Sequence, residues 1–325
     1  MELVYTNGSD DGWVDQGVLR SFKMDLAYGA DENDFEIAIP LDVHIPARAL
    51  VYVEGTEWGG MVTGHRVSTY DGATNAIKGL TWHGVLSETY ILPPEGETHF
   101  SVSGELNAAL RQVIEHVGLG YLFQASPENS GISVSHTFDR FTDAYSGISE
   151  MLAANGMKLK VEVLPNSKPC IYAVEAGVHI DEEGDIDYEI VDGAPYNHII
   201  CIGKGGGEER IVLNLYADAR GNVSANPTFY GAERRTYRYE LSAADEESLT
   251  EKGAEKLKEL QADASSCDLR LPDGRSYDVG DTVGVVDEVN GITVTASVTK
   301  VVVTISESGD VAVSNEVGNV TARRN

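Results

Sequence analysis

Apolar and polar residues alternate with period two through most of the first ~95 residues, which predicts strands joined by tight turns. Phe35, Ile37 and Ile39 alternate with Glu36 and Ala38 up to Pro40. Leu50–Val53 is a short β-branched and aromatic run closed by Glu54-Gly55. Trp58–Val67 follows, then Asp71-Gly72 and a run from Ala76 to Leu92. Turns at roughly ten-residue spacing suit a barrel or sandwich.

The period changes after Pro93-Pro94-Glu95-Gly96. Leu106, Leu110, Val113, Ile114 and Val117 fall at helical spacing, with Ser103 as the expected N-cap and Gly118 and Gly120 at the stop. A strand-like stretch from Tyr121 leads to Ser133–Phe138. A second helix is predicted from Thr142 to Asn155-Gly156, burying Tyr145, Ile148, Met151 and Leu152. Leu159, Val161 and Val163 then alternate with charged residues as a strand.

From His198 the β pattern returns, with Ile199–Cys201 and Ile211–Leu215 flanking a glycine-rich turn. Ser242 with Asp245 three residues on signals a third helix, whose stripe is Leu249, Leu257 and Leu260. Tyr277–Ser314 reads as a meander with an Asn290-Gly291 hairpin. Parity slips between Val298 and Val301, which predicts a bulge. Val51-Tyr52-Val53 with Gly60-Met61-Val62-Thr63 echoes Val283-Gly284-Val285 with Gly291-Ile292-Thr293-Val294, as two similar barrels would. The expected fold is a β-dominated α+β chain: a β-barrel-like domain over 1–95, an α/β insert over 96–192, and a second barrel-like domain over 193–325 with a crossing helix near 243–262.

Composition narrows the function. Of 325 residues, 42% are hydrophobic and 23% charged, as in ordinary globular proteins, but 24 basic against 52 acidic residues leave a net charge of −28. Binding to nucleic acid draws mainly on cations that displace counterions, so no specific nucleic-acid surface is expected. No basic leader precedes an apolar core at the N-terminus, and no apolar run is long enough for membrane insertion. The Asn-x-Ser/Thr sequons at Asn7, Asn222 and Asn319 carry no weight without such a leader. Synthesis in the cytosol is the expectation. Cys170, Cys201 and Cys267 are scattered, with no zinc or disulfide spacing.

Chemistry finds little to stand on, and no cofactor is expected. Gly203-Lys204-Gly205-Gly206-Gly207 lacks phosphate-loop spacing and precedes a strand rather than a helix. Ser297-Val298-Thr299-Lys300 matches SxxK, but on a strand residues three apart face opposite sides. Among the residues of Asp181–Asp187, Asp181, Glu183, Asp185 and Asp187 are calcium candidates, in a register unlike an EF-hand. A solvated acidic turn is the simpler reading. The eight histidines form no HExxH, and no GxSxG elbow occurs. No catalytic site is expected.

Several stretches, in order along the chain, resemble one family. They are Ser21–Met24 with Asp34–Pro40; Gly59–Val62; Leu80–Leu86 with Ile91–Pro94; Leu119–Phe123 with Phe138–Phe141; Gly203–Gly205 with Arg210; and Val279–Val283. Together they resemble the hub, or tail-associated, structural proteins of phage and prophage tails. The resemblance implies a homotrimeric ring of six barrels at the virion tail tip. Such a ring joins the tail tube to host-recognition components and lets DNA pass. It also implies a distal tail or tail tube protein and a tape measure protein as partners. Acid facing such a channel is expected in barrel turns, with Asp31, Glu32, Asp34, Glu54, Glu57, Asp287 and Glu288 as candidates. The rival reading is a carbohydrate-binding module or tail-tip adhesin, for which Trp13, Trp58 and Trp82 would share an exposed face.

Overall fold

The computed structural model describes residues 1–8, 13–70, 72–165, 167–181, 184–262, 264–272 and 274–324. The N-terminal alternation becomes seven strands: β1 (Leu3–Thr6), β2 (Asp15–Leu19), β3 (Lys23–Gly29), β4 (Asp34–Ala38), β5 (Leu50–Tyr52), β6 (Gly59–Ser68) and β7 (Thr74–Thr81). Their inward side chains, among them Leu3, Leu26, Phe35, Ile37 and Ile77, form one core. The strand expected to run on to Leu92 stops at Thr81, where a short helix α1 (Trp82–Ser87) begins. Thr81 caps it by accepting from the Gly84 amide at 3.1 Å. Trp82, His83, Gly84, Val85 and Leu86 are all buried, so the segment shows no polar face whose period could betray a helix.

The insert holds β8 (Ser101–Glu105), α2 (Leu106–His116), β9 (Gln124–Ala125), β10 (Ser133–Thr137), α3 (Ala144–Ala153), β11 (Met157–Glu162), β12 (Cys170–Glu175) and β13 (Val178–Asp181). The predicted stripes are buried: Leu106, Leu110, Val113 and Ile114 on α2, and Tyr145, Ile148, Met151 and Leu152 on α3. They pack with Trp82, Phe123 and Phe138 in a second core that also takes Leu50 and Tyr52 of β5. The cap of α2 differs from the expectation. Ser103 lies inside β8, and the Glu105 carboxylate accepts from the Ala108 amide instead. A strand ending at the helix start leaves the last strand residue as the only side chain in reach.

Residues 187–270 form a separate compact unit. It contains β14 (Asp187–Asp192), β15 (His198–Ile202), β16 (Val212–Ala217), β17 (Val223–Ser224), β18 (Thr236–Glu240), α4 (Glu246–Ala262) and β19 (Ser265–Arg270). β14 pairs with β19, and the other strands lie in the order β17-β16-β15-β18. Asp245, rather than Ser242, caps α4 by accepting from the Ser248 amide. Leu249 and Leu257 are buried against Ile199, Cys201 and Leu215, whereas Leu260 is only half-buried. The helix tolerates Gly253 because a Cβ there would come within 2.4 Å of Cys201 Sγ.

The chain then returns to the first unit as β20 (Thr282–Asp287), β21 (Ile292–Ile305), β22 (Val311–Val317) and β23 (Thr321–Arg324). β21 is fourteen residues long and changes neighbours midway. Its first half pairs with β20 and β23, and its second half with β22 and β3. The change falls at a register shift between Val298 and Lys300, where the parity slip placed a bulge.

Strands from both ends of the chain therefore share one twelve-stranded sheet, whose path runs β13-β20-β21-β3-β4-β7-β6-β5-β1-β2. The path is open, with β13 and β2 at its ends. Two separate barrels with an insert between them are not what this pairing shows. The compact units are 1–186 with 271–325, and 187–270, rather than the three consecutive domains expected from composition. No helix among the described residues is long and apolar enough to cross a membrane.

Gly29 sits opposite Lys300 at the switch, with φ of 148°. A Cβ there would lie 2.1 Å from the Thr299 carbonyl oxygen. Gly29→Ala combines an unfavourable backbone region with a backbone collision. It should destabilise the first unit by about 2–4 kcal/mol in urea unfolding. Gly104→Ala, at φ of 118° with nothing within 4 Å, should cost clearly less.

Candidate functional site

The densest chemistry lies where three distant segments of the first unit meet. Glu57 comes from the β5–β6 turn, Lys158 and Lys160 from β11, and Asp278 and Asp281 from the turn leading into β20. Lys158 and Lys160 lie two apart on one strand, so both ammonium groups extend from the same face. Lys158 Nζ donates to Asp281 Oδ1 at 2.5 Å and to Asp278 Oδ2 at 2.8 Å. Lys160 Nζ donates to Asp278 Oδ1 and to Glu57 Oε2, both at 2.8 Å. Asp278 thus bridges the two lysines. Backbone amides complete the ring: Val161 to Glu57, Gly177 and Asp278 to Asp281. His179 lies beside Asp281, with Nε2 3.5 Å from Oδ2.

Glu57 is only 8% exposed, and Lys158 and Asp281 are buried with it. Burial pushes the Glu57 carboxyl above its usual range, and Lys160 opposes that push. Burial also disfavours the charge on Lys160, but Glu57 and Asp278 outweigh it and raise the ammonium pKa. For Asp278 and Asp281 burial is outweighed by hydrogen bonds from the lysines and amides, and both lie below the ordinary value. His83 stacks on Tyr28, with centroids 4.6 Å apart. Burial, aided by the Lys160 charge, pushes His83 down to about 3, so the ring is neutral. Its Nε2 is 3.9 Å from Glu57 Oε1, too far for a hydrogen bond.

A cavity of about 320 Å³ opens beside this network, lined by Tyr28, Thr56, Glu57, Lys160, Tyr172 and Asp278 among others. Its chemistry is that of a tie. Lys160 is held protonated between two carboxylates, which removes it as a base or nucleophile. Thr56 Oγ1 donates to the Val53 carbonyl. The ion pairs join a turn, an insert strand and the approach to β20, and so hold the N-terminal, middle and C-terminal parts of this unit in register. Sequence reasoning missed the network because its members lie more than 100 residues apart. The alternation of Lys158 and Lys160 with Leu159 and Val161 was its one visible trace.

The residues singled out from sequence fall elsewhere. Glu57 belongs to the network and presents no free charge to a channel. Asp31 and Glu32 flank the largely buried Lys300, 3.5 and 3.3 Å from its Nζ, with Glu316 at 2.9 Å. Asp34 and Glu54 are exposed. Asp287 accepts from Asn290 at the β20–β21 tip, beside exposed Glu288. Asp287 pairs with Ile292 at the start of β21, eight residues along that strand from Lys300, roughly 26 Å at strand rise. The acidic candidates do not gather in one patch within the chain.

Of the calcium candidates, Asp181 is buried and accepts from the Ile186 amide, Asp185 pairs with Arg275, and Asp187 opens β14 of the second unit. Glu183 lies outside the described residues. Among the described residues no three His, Cys, Asp or Glu side chains are grouped to hold a metal. Ser297 is exposed, while Glu316, Glu32 and Asp31 keep Lys300 protonated, so the SxxK match has no active pair. Gly203–Gly207 is a turn followed by a three-residue 3-10 helix, not a phosphate-binding helix. Trp82 is fully buried, Trp58 packs on the sheet core, and Trp13 stacks on Tyr121 at 5.8 Å. The three tryptophans share no exposed face.

No family model matches the chain, and no curated protein matches it. Among solved structures it is similar to the 43 kDa tail protein of prophage MuSo2 from Shewanella oneidensis, at 13% identity and TM-score 0.42 over 98% of each chain. It is similar to a tail protein from Neisseria meningitidis MC58, at 11% and 0.40 over 97% of this chain and 96% of that one. A third is prophage tail protein gp18 from Listeria monocytogenes EGD-e, at 12% and 0.45 over 97% and 94%. At these identities no residue's role carries over.

Lys160→Met should leave Glu57 buried without its cation and destabilise the first unit by about 3 kcal/mol at neutral pH. The sign with pH follows from the carboxyl. Without Lys160 its folded pKa rises further above the unfolded value. The loss is then full above that raised pKa and shrinks as pH falls through it, because a protonated Glu57 needs no partner. Urea unfolding of both proteins between pH 7 and pH 5 should show the gap narrowing, and Glu57→Gln/Lys160→Met should show little narrowing.

Proposed function

We propose that the chain is a non-catalytic structural subunit of a phage or prophage tail, working as a hub that assembles with copies of itself. One observation carries this reading. The stretches that resemble hub proteins fall in order on successive elements of the first unit: β3–β4, the start of β6, the β7–α1 corner, the loops after α2 and before α3, and the entry to β20. Only the Gly203–Arg210 stretch lies in the second unit. A site whose two lysines are both committed to carboxylates supports a scaffold over an enzyme. The placement of the three tryptophans gives the adhesin reading no support.

In this proposal three copies form a ring at the tail tip, against a tail tube protein and a tape measure protein, and DNA passes through. Closed cyclic symmetry is the usual outcome for self-associating subunits. Acid along such a channel would repel DNA, and Asp31, Glu32, Asp34, Glu54, Asp287 and Glu288 remain the candidates. Since they lie apart within one chain, they would line different levels of the channel or its rim.

Sedimentation across a concentration series should show a trimer of three 35.0 kDa chains, and electron microscopy a threefold ring with a central opening. Each copy carries −28, so added salt should favour the trimer by screening repulsion. A stable dimer, or rings of another order, would overturn the hub.

A further inference from the structure

The segment after α1 runs antiparallel to the segment before α3, tied by Ile91 N to Thr142 O at 2.9 Å and by a bridge between Tyr90 and Asp143. In that register Leu92 lies opposite Phe141. Ile91 points into the core at 1% exposure, so its neighbours point out: Tyr90 is 57% exposed, Leu92 54% and Phe141 57%. Three large apolar side chains thus stand exposed on one short ribbon.

Phe141 adds an independent observation. Thr142 N donates to Asp139 O at 3.4 Å, closing a turn in which Phe141 has φ of 61°. Glycine or asparagine ordinarily takes that conformation, and a bulky side chain there is strained. Here the ring gains little burial in return. Backbone strain without packing gain is a hallmark of positions kept for contact with something else.

The surroundings say what that something is. Glu88, Glu95, Glu97 and Asp139 are exposed along the same two segments, with Arg140 as the single cation. Arg140 already lies over the Phe141 ring, its guanidinium carbon 4.9 Å from the centroid, so the ring's face accepts a cation. An apolar centre inside a charged rim is the anatomy of a protein interface. A second copy of this acidic chain would set rim against rim.

We propose that the Tyr90–Leu92 and Phe141–Asp143 ribbon docks a basic protein segment, which places aromatic or aliphatic anchors on Tyr90, Leu92 and Phe141 and lysines or arginines against the acidic rim. The surface belongs to this fold whether or not the tail reading holds.

The test uses the full chain and a synthetic peptide array with leucine and tryptophan anchors flanked by Lys, Arg, Gln or Glu. Lys- and Arg-flanked peptides should bind, and binding should weaken with salt. Phe141→Asn, which suits the positive φ, should lower affinity at least about tenfold while its Tm stays level or rises. Four results would overturn the proposal: no binding by any basic-flanked peptide; equal binding by Glu-flanked ones; unchanged affinity in Phe141→Asn; or a fall in that variant's Tm, which would make the ring structural. Loss of self-association in Phe141→Asn would instead assign the face to a second copy.

Discussion

The first unit depends on one strand serving two sets of neighbours. β21 is hydrogen-bonded on both sides along nearly its whole length, to β20 and β23 before the bulge and to β22 and β3 after it. A bulge bends the strand and raises its twist, which lets one chain segment serve two differently oriented parts of a sheet. After the extra residue Val301, Val303 and Ile305 face the core, and Lys300, covered but turned the other way, meets the exposed carboxylates of Glu316, Glu32 and Asp31. Gly29 gives way on the partner strand. The β21–β3 pairing that follows the bulge is the hydrogen-bonded link between the N-terminal and C-terminal strands.

The buried ion-pair network is a second fastening of the same parts, and its energetics differ in kind. Hydrogen bonds along β21 gain from repetition, whereas the network consists of charges that each cost desolvation and are tolerable only together. Its benefit is specificity more than depth of stability. A register error that moved Lys160 by one residue would turn its side chain to the other face. Glu57 would then be left buried and unpaired, and half-buried Asp278 would lose its lysines. Such a mistake is expensive, so the alternatives are driven off even where the correct pairing adds little.

Local features were legible in the sequence and distant ones were not. The stripes of α2 and α3 and the bulge in β21 follow from periodicity over a few residues, and the structure bears them out. Helix α1 was hidden because all of Trp82–Leu86 is buried, and a uniformly buried segment has no period to read. Ser103 and Ser242 were reasonable caps by residue type. The caps turned out to be Glu105 and Asp245, since helix starts are settled by where the preceding strand or turn ends. The sharing of one sheet by residues 3–81 and 282–324 rests on β21 pairing with β3, a contact nearly 280 residues apart that no local pattern announces. The network fails to show for the same reason. Phe141 was legible only as a member of a family-like stretch, because its positive φ exists only once the turn is built.

The charge of the chain takes on a sharper meaning once the cations are located. Lys158 and Lys160 are committed to carboxylates at the core's edge, Lys300 to the exposed Glu316, Arg275 to Asp185, and Arg210 and Arg238 to Glu240. Each such pair neutralises acid and cation together, so the net −28 rests on carboxylates outside these pairs. A surface of that kind repels other copies at long range and attracts basic partners, both within a Debye length of about 8 Å at physiological salt. Self-association must then draw on apolar or backbone contacts strong enough to overcome repulsion, while a basic partner gains from the field it approaches. The two kinds of contact therefore respond to salt with opposite sign, and this separates them even where both use the same face of the molecule.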